Sequence, residues 1–232
     1  MPRLFALIPA AGTGSRMGAA RPKQYLPLAG KPVLYHALRN LCRHTAIDRV
    51  FVVLAPGDTF FAEYDWTQFG PRLMPLFCGG EARAYSVFNG LLAARDEIGE
   101  DDWVLVHDAV RPCLALETIE RLIETVRSEP TGGLLALPAV DTMKRGDAEG
   151  YVLQTEAREH LWQAQTPQMF RYRLLLEALR AIGPAAATDE AAAIERLGLR
   201  PKLVMGDSRN LKVTYPQDLA VAETLLRGME RL

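Results

Sequence analysis

The stretch that decides the fold is Leu4-Phe-Ala-Leu-Ile-Pro-Ala-Ala-Gly-Thr-Gly-Ser-Arg-Met-Gly18, an apolar run that leads directly into a glycine-rich segment. The apolar part predicts a buried first strand. It is far shorter than the roughly 18 residues that cross a bilayer, so it is not a membrane span. Glycines and small residues after a strand let the backbone approach a ligand closely, and their N–H groups can cradle phosphate. The stretch therefore predicts an α/β protein with a phosphorylated ligand.

The glycine-rich segment belongs to neither of the two common nucleotide-binding loops. Gly12 and Gly14 fit the dinucleotide fingerprint, but Met17 stands where its third glycine belongs. A P-loop is also excluded, because no Gly-Lys-Ser/Thr closes the segment. A hydride-transferring dehydrogenase is accordingly disfavoured.

Outward from this loop, short β-branched or Leu-rich runs alternate with longer amphipathic segments. Strands separated by helices of this length predict an α/β fold with a mainly parallel sheet that helices cover on both faces. The predicted strands are residues 4–9, 49–54, 73–78, 103–107, 134–138 and 201–205. The predicted helices are residues 33–44, 82–96, 116–128, 171–181, 189–197 and 216–231.

Residues 141–156 interrupt this alternation. Two short strands, 143–145 and 151–156, around a Gly-Asp-Ala-Glu-Gly turn predict a polar hairpin that projects from the sheet. Such a projection is typical of a dimerisation arm or a lid. Because the chain has no repeat, low-complexity tract or linker, we expect one domain over residues 1–232, with an arm at 139–158.

The composition is that of an ordinary globular protein, with 232 residues of which 49% are hydrophobic and 24% charged. No apolar run is long enough to span a membrane. The three cysteines, Cys42, Cys78 and Cys113, are odd in number and far apart, which fits neither a disulfide framework nor a zinc site. A reducing cytoplasm is therefore the expected location.

The charge is unevenly distributed along the chain. Seven Arg and Lys residues precede the first acid, Asp48, whereas the remainder of the chain carries 20 basic and 28 acidic residues. One sign of charge concentrated in one segment indicates a polyanionic partner. The acidic remainder and the absence of a Lys/Arg-rich run disfavour nucleic acid, so a small phosphorylated ligand is the expected partner.

Candidate anion-binding residues follow the glycine-rich loop. Arg16 lies within it, and Arg21 and Lys23 follow in Arg-Pro-Lys-Gln-Tyr-Leu. The planar fork of Arg and the point charge of Lys suit a triphosphate, whose oxygens they neutralise during phosphoryl or nucleotidyl transfer. Late in the chain, Lys212 is placed to reach a second anion.

A candidate metal ligand closes the fourth predicted strand. In Val104-Leu-Val-His-Asp-Ala-Val-Arg-Pro112, Asp108 falls at the carboxyl end of a strand, where open α/β sheets bind ligands. An Asp beside phosphates typically faces Mg²⁺, and Arg111 is placed to support that Asp. His107 is interpreted as a packed strand-end residue. In Gly79-Gly-Glu-Ala-Arg-Ala-Tyr-Ser-Val, Glu81 and Ser86 are candidates to contact a base edge.

Taken in order, these motifs closely resemble those of the bacterial 2-C-methyl-D-erythritol 4-phosphate cytidylyltransferases of non-mevalonate isoprenoid synthesis. The resemblance runs nearly end to end and includes four further motifs: Asp141-Thr-Met-Lys144, Thr166-Pro-Gln-Met-Phe170, Thr188-Asp-Glu190 and Asn210-Leu-Lys-Val-Thr214. It implies a Rossmann-like nucleotidyltransferase fold, a homodimer joined through the arm and dependence on Mg²⁺ or another divalent cation. The implied reaction joins CTP and methylerythritol phosphate into a CDP-alcohol and releases pyrophosphate.

The resemblance also implies roles for individual residues. Arg16, Lys23, Arg158 and Lys212 would form the catalytic set, with Arg16 and Lys23 stabilising the transition state at the CTP α-phosphate. Asp108 would hold the metal. The arm residues Thr142 and Arg158 would bind the acceptor phosphate in the partner's site together with Lys212, and Arg111 would complete that set. CTP would be bound by Ala10, Ala11, Gly12, Thr13, Gly14, Gly80, Glu81, Ser86 and Asp108.

Two other functions remain open on the residues alone. A ribitol 5-phosphate cytidylyltransferase of cell-wall synthesis would share the loop, Lys23 and Asp108, and would differ only in its acceptor pocket. A non-catalytic nucleotide-binding protein would lack the Arg16–Lys23 pair or Asp108, all of which this chain keeps. The set Thr142, Arg158 and Lys212 favours methylerythritol phosphate as the acceptor.

Overall fold

The computed structural model describes residues 2–12 and 21–229. Besides short 3₁₀ turns, these residues form eleven strands and six α-helices. The strands are β1 Leu4–Pro9, β2 Pro27–Leu28, β3 Lys31–Pro32, β4 Arg49–Val53, β5 Leu73–Leu76, β6 Trp103–Val106, β7 Gly133–Pro138, β8 Met143–Gly146, β9 Val152–Glu156, β10 Trp162–Arg171 and β11 Lys202–Met205. The helices are α1 Val33–Arg43, α2 Arg83–Ala93, α3 Leu116–Val126, α4 Tyr172–Ile182, α5 Glu190–Arg196 and α6 Pro216–Met229.

Seven of the strands form the central sheet, in the order β11-β7-β10-β6-β1-β4-β5. Strands β6, β1, β4 and β5 run parallel to one another, and β11 is parallel to β7. Only β10 is antiparallel to both of its neighbours in this described sheet. The predicted mainly parallel sheet is confirmed, and each predicted strand and helix has a counterpart in the structure.

The alternating side chains of β1 supply both hydrophobic cores. Leu4, Ala6 and Ile8 are buried in the core beneath α1 and α3. Phe5 and Leu7 point the opposite way into the core beneath α2, α4 and α5. Because successive side chains of a strand alternate between faces, an apolar strand of this kind needs helices on both sides. The result is the three-layer α/β sandwich that the sequence predicts.

Strand β10 is the one element of the main sheet that the sequence pattern fails to predict. It occupies the middle of the sheet, and Arg171, expected to begin a helix, is its last residue. Its buried residues include the polar Gln165, Thr166 and Gln168, and Pro167 interrupts the run. This composition lacks the apolar pattern of a central strand, because its polar side chains hold neighbouring loops.

The hairpin expected at residues 143–156 is present as β8 and β9, which pair with each other in a separate two-stranded sheet. Most of its side chains are exposed, including Tyr151, Val152 and Leu153. None of the helices in the described residues combines the length and the apolar character that crossing a membrane requires.

Candidate active site

A cavity of about 290 Å³ opens beyond the carboxyl ends of β1, β5 and β6. These strands run parallel, so the segments that follow them meet at one edge of the sheet, where open α/β sheets bind ligands. The cavity is lined by Pro9, Ala10, Ala11, Gly12, Lys23, Gln24, Gly80, Glu81, Ala82, Arg83, Ser86, Asp108, Ala109, Val110 and Lys212.

Nine of the residues selected from the sequence line this cavity: Ala10, Ala11, Gly12, Lys23, Gly80, Glu81, Ser86, Asp108 and Lys212. Thr13, Gly14 and Arg16 lie outside the described residues. The structure thus gathers one group of residues from five separate segments of the chain. Their roles, assigned by resemblance, stay predictions at this point.

Gln24 holds the beginning of the glycine-rich loop. Its side-chain amide, which is 3% exposed, donates hydrogen bonds to the carbonyl oxygens of Ala10 (2.6 Å) and Gly12 (3.0 Å). The side-chain amide of Gln24 therefore fixes the start of the loop against the 3₁₀ turn Lys23–Tyr25. Because the N–H and C=O of a planar trans peptide point in opposite directions, the N–H of Ala11 points away from Gln24.

The segment that precedes α2 forms another wall of the cavity. The Ser86 hydroxyl accepts a hydrogen bond from the Gly80 N–H at 3.1 Å, which ties the segment to the first turns of the helix. A Cβ at Gly79 would overlap the side chain of Ala11, so only glycine permits the two walls to come this close. The glycine at position 79 is therefore required by the close approach of the segments that carry Ala11 and Gly80.

The two lysines come from segments far apart in the chain. Lys23 Nζ donates to the carbonyl of Val213 at 3.4 Å, next to Lys212 in sequence. Lys212 Nζ lies 2.8 Å from Asp108 Oδ2. Both lysines line the cavity, which gives it two positive charges that suit an anionic ligand.

Asp108 is the buried negative charge at the centre of this group. Its Oδ1 accepts from Arg83 Nε at 2.7 Å, its Oδ2 faces Lys212, and Arg111 Nε lies 3.7 Å away. Burial alone would raise the pKa of the Asp108 carboxyl, but the charge of Arg83, followed by that of Lys212, outweighs burial and holds the pKa well below its usual range. Asp108 is therefore an anion at any physiological pH.

Arg83 and Glu190 belong to this charged group and were missed by the sequence reasoning. Arg83 Nη1 and Nη2 bind the two carboxylate oxygens of Glu190 at 2.7 and 3.1 Å, while its Nε binds Asp108. Both residues lie in motifs already singled out, after Gly79-Gly80 and in Thr188-Asp-Glu190. Glu190 reads in the sequence only as a helix-starting acid, because nothing there reveals that α5 begins beside α2.

His107 is a packed residue, as the sequence indicated. It is fully buried, with Nδ1 3.0 Å from Thr166 Oγ1 and Nε2 3.2 Å from the Arg111 carbonyl. Burial lowers its pKa to about 4, so the ring is neutral at pH 7. Since Thr166 Oγ1 also accepts the Asp108 N–H at 3.0 Å, its hydroxyl proton is available for Nδ1, which leaves Nε2 to donate to Arg111.

Four other candidates lie away from the cavity in this chain. Arg111 is buried beneath Asp108 and donates to the Asn210 carbonyl at 2.6 Å, so it supports the Asp as expected but does not line the cavity. Arg21 turns to Glu63 (2.7 Å) and the Tyr64 hydroxyl, which corrects its expected place beside a triphosphate. Thr142 and Arg158 lie on the exposed hairpin region, where Arg158 binds the Val140 carbonyl.

The donor set is compatible with a magnesium ion that is shared with a nucleotide. The described residues contain no cluster of three or more His, Cys, Asp or Glu side chains able to enclose a metal. Mg²⁺ commonly takes one or two carboxylates and completes its shell with phosphate and water oxygens. Each Asp108 oxygen has a second lone pair besides the one used by Arg83 or Lys212, so Asp108 can supply such a ligand.

Comparison with known proteins places this geometry in a family. Residues 4–228 match the family model described as 2-C-methyl-D-erythritol 4-phosphate cytidylyltransferase. Curated proteins with that name from Nitrosospira multiformis and Azoarcus sp. (strain BH72) are 58% and 57% identical to this chain. The first alignment covers 98% of this chain and 99% of the relative, and the second covers 98% and 95%.

Solved structures agree with the sequence comparison. A crystal structure of 4-diphosphocytidyl-2C-methyl-D-erythritol synthase is 42% identical, with a TM-score of 0.86, and the match covers 97% of this chain and 99% of the other. The Francisella tularensis 2-C-methyl-D-erythritol 4-phosphate cytidylyltransferase is 34% identical, with a TM-score of 0.81 and coverage of 96% and 99%. Fold, cavity and comparisons together show that the chain belongs to the 2-C-methyl-D-erythritol 4-phosphate cytidylyltransferase family, CTP-dependent nucleotidyltransferases of isoprenoid synthesis.

Proposed function

We propose that the cavity beyond β1, β5 and β6 is where this cytidylyltransferase joins CTP to methylerythritol phosphate. The observation that carries the proposal is the meeting of Lys23, Lys212 and Asp108 around one cavity with a glycine-rich wall. An oxygen of the acceptor phosphate forms a bond to the α-phosphorus of CTP, and the bond from that phosphorus to the bridging oxygen breaks. Pyrophosphate leaves with the electron pair, and no proton has to move.

The residues contribute mainly position and charge to this step. The attacking phosphate is already an anion, so the site needs no general base, and the buried neutral His107 is consistent with that. Lys23, with Arg16 as its partner by resemblance, neutralises the oxygens of the phosphorus under attack. Preorganised positive charge of this kind is typically the largest contribution to phosphoryl transfer.

Magnesium, or another divalent cation, is the cofactor that we assign to Asp108. When bound, such an ion neutralises phosphate charge and orients the triphosphate. Asp108 lies on the cavity wall with both oxygens fixed by Arg83 and Lys212, so its position is set before a ligand arrives. Chelation of divalent ions is therefore expected to stop turnover.

The acceptor end of the site is completed, in our proposal, by the arm of a second copy of this chain. Thr142 and Arg158 do not line the cavity of their own chain, whereas Lys212 does. The hairpin region exposes large apolar side chains: Val140, Tyr151, Val152 and Leu153 are between 62% and 74% exposed. A two-stranded hairpin with apolar residues on both faces is poorly stable alone, and a homodimer would cover it.

We also propose a cytoplasmic location and no nucleic-acid partner. The three cysteines Cys42, Cys78 and Cys113 are all free thiols, which suits a reducing compartment. The cavity that Lys23 lines is of small-molecule size, and Arg21 of the same basic segment is paired with Glu63, which favours CTP over a polymer.

The decisive experiment measures pyrophosphate release from CTP and Mg²⁺ with methylerythritol phosphate or ribitol 5-phosphate in parallel. Release with the first acceptor alone is expected, since the comparisons give the ribitol alternative no support. Release with ribitol 5-phosphate alone would overturn the acceptor assignment. An EDTA control and titration with Mg²⁺ test the cofactor separately.

A further inference from the structure

The ion pair between Arg83 and Glu190 joins two helices that are far apart in the chain. Arg83 is the first residue of α2 and Glu190 is the first residue of α5. An Arg at the first position of a helix is unfavourable, because the positive end of the helix dipole lies there. The first turn of α2 contains no acid of its own, so the compensating charges are those of Glu190 and Asp108.

Glu190 does not itself face the cavity. Its side chain is 1% exposed and is absent from the cavity wall, whereas Arg83 and Asp108 both belong to that wall. Three of the five Arg83 N–H groups are used, one toward Asp108 and two toward Glu190. A guanidinium held at both carboxylate oxygens of one partner has one permitted plane, and this plane sets the Nε–H that meets Asp108.

The position of Glu190 is in turn fixed by β10. Gln168 donates from Nε2 to Asp189 Oδ2 at 2.9 Å and accepts the Ala191 N–H at 2.8 Å, so it binds the residues on both sides of Glu190. The same strand also contacts Asp108, because Thr166 Oγ1 accepts the Asp108 N–H. Strand β10 therefore fixes both Glu190 and Asp108, and Arg83 connects them.

We infer that Glu190 is a positioning residue for the transfer reaction, whose carboxylate holds Arg83 against Asp108 and so keeps Asp108 and Lys212 in the geometry that the cavity needs. This inference rests on the proposed function of the cavity. Without Glu190, Arg83 loses two of its three hydrogen bonds, so the plane of its guanidinium is no longer set and its Nε–H contact with Asp108 is weakened. Arg83, Arg111 and Lys212 would then compete for the one carboxylate of Asp108.

A double-mutant cycle tests the inference. Glu190→Gln and Arg83→Gln are each expected to lower kcat/KM on the order of 10- to 100-fold, as is typical for residues behind a charged ligand. The double variant is expected to lose no more than the single ones, because Glu190 acts through Arg83. Glu190→Asp, which keeps the charge, should recover part of the activity. Multiplying losses in the double variant would overturn the inference.

Ala192→Gly is the matched control for stability. It lowers the helix propensity inside the same helix and leaves the Arg83–Glu190 pair and both Gln168 contacts in place. We expect a lower thermal unfolding midpoint but a kcat/KM near that of the wild type. A loss of kcat/KM as large as that of Glu190→Gln would mean that helix stability alone explains the effect, and would contradict the positioning role.

A measurement without turnover separates this inference from the proposed function. In NMR spectra of the selectively labelled full chain, the Arg83 Nε–H should exchange slowly with solvent and should exchange much faster in Glu190→Gln. Unchanged exchange would overturn the inference even if the wild type is active. Slow exchange that depends on Glu190 in a protein that releases no pyrophosphate would support the positioning contact and would count against the proposed function.

Discussion

At the residue scale, the site depends on a few side chains that fix charges before a ligand binds. Lys23 begins a 3₁₀ turn whose next residues, Gln24 and Tyr25, are buried. The Tyr25 hydroxyl donates to Asp58 at 2.8 Å, so the last residue of the turn is also fixed by a hydrogen bond. The ammonium group is therefore attached to a rigid base, which is the property that electrostatic stabilisation of a transition state requires.

Lys23→Ala is expected to lower kcat by about 10²- to 10³-fold and to weaken CTP binding much less, because the charge is needed most as the α-phosphorus is attacked. Steady-state kinetics and equilibrium CTP binding check this split. Lys31→Ala is the matched control, since Lys31 lies over the Tyr35 ring away from the cavity. Equal losses in kcat and in CTP affinity would contradict a transition-state role.

Gln24→Met keeps the approximate size of the side chain and removes both donors to the loop carbonyls of Ala10 and Gly12. We expect the KM for CTP to rise about 10-fold with a smaller change in kcat, because the start of the loop loses two buried hydrogen bonds. Gln68→Met, at an exposed glutamine that binds Tyr35, provides the comparison. An unaltered KM for CTP would show that the loop holds its shape without Gln24.

At the element scale, the parallel part of the fold follows from the sequence, and β10 does not. Apolar runs such as Leu4–Pro9 and Trp103–Val106 identify their strands because both faces are buried. Strand β10 contains two buried glutamines: Gln165 donates to the Asp207 carbonyl and Gln168 donates to the Asp189 carboxylate. The polar residues of this strand are therefore explained by partners that are distant in sequence. Arg83 and Glu190 escaped detection for the same reason, since an ion pair across 107 residues leaves no local signature.

The contact between β6 and β10 near the site includes a buried histidine that predicts a pH effect. His107 directly follows β6 and binds Thr166 of β10. Its folded pKa of about 4 is below the ordinary value of 6.5, so the unfolded state binds more protons between these values. The stability that neutral His107 contributes is therefore present above pH 6.5 and falls as the pH drops toward 4, by on the order of 3 kcal/mol.

His107→Asn, which keeps an acceptor for Thr166, should flatten this pH dependence. Chemical unfolding at several pH values between 4 and 7 gives the free energy of unfolding for both proteins. His44, whose pKa burial also lowers, contributes equally to both and cancels in the comparison. Parallel curves would show that His107 is not the group responsible.

At the scale of the whole molecule, the cavity of one chain is lined by only part of the residues assigned to the reaction. Lys212 and the described residues assigned to CTP line it, while Arg158 and Thr142 lie on the hairpin region outside it. Sequence and resemblance identify both groups, but no local pattern tells which cavity an arm serves. The apolar exposure of Val152 and Leu153 on adjacent positions of β9 is what favours a second copy as the arm's partner.

In the proposed dimer the partner covers the apolar surface of the arm, and Leu153→Asp places a charge in that surface, so this variant is expected to be monomeric. Analytical ultracentrifugation measures the change. The KM for methylerythritol phosphate should rise while CTP binding is retained. Glu149→Gln, in the turn of the same hairpin, should leave the assembly unchanged, and a dimeric Leu153→Asp variant would rule out the arm as the interface.

Complementation decides which cavity the arm completes. Lys23→Ala removes a cavity residue but leaves the arm intact, and Arg158→Ala does the reverse. If each arm serves the partner's cavity, a mixed dimer contains one complete site, so random exchange of equal amounts should restore about a quarter of the wild-type activity. If each arm serves its own chain, no mixed dimer contains a complete site, and the mixture should be no more active than the two variants measured separately.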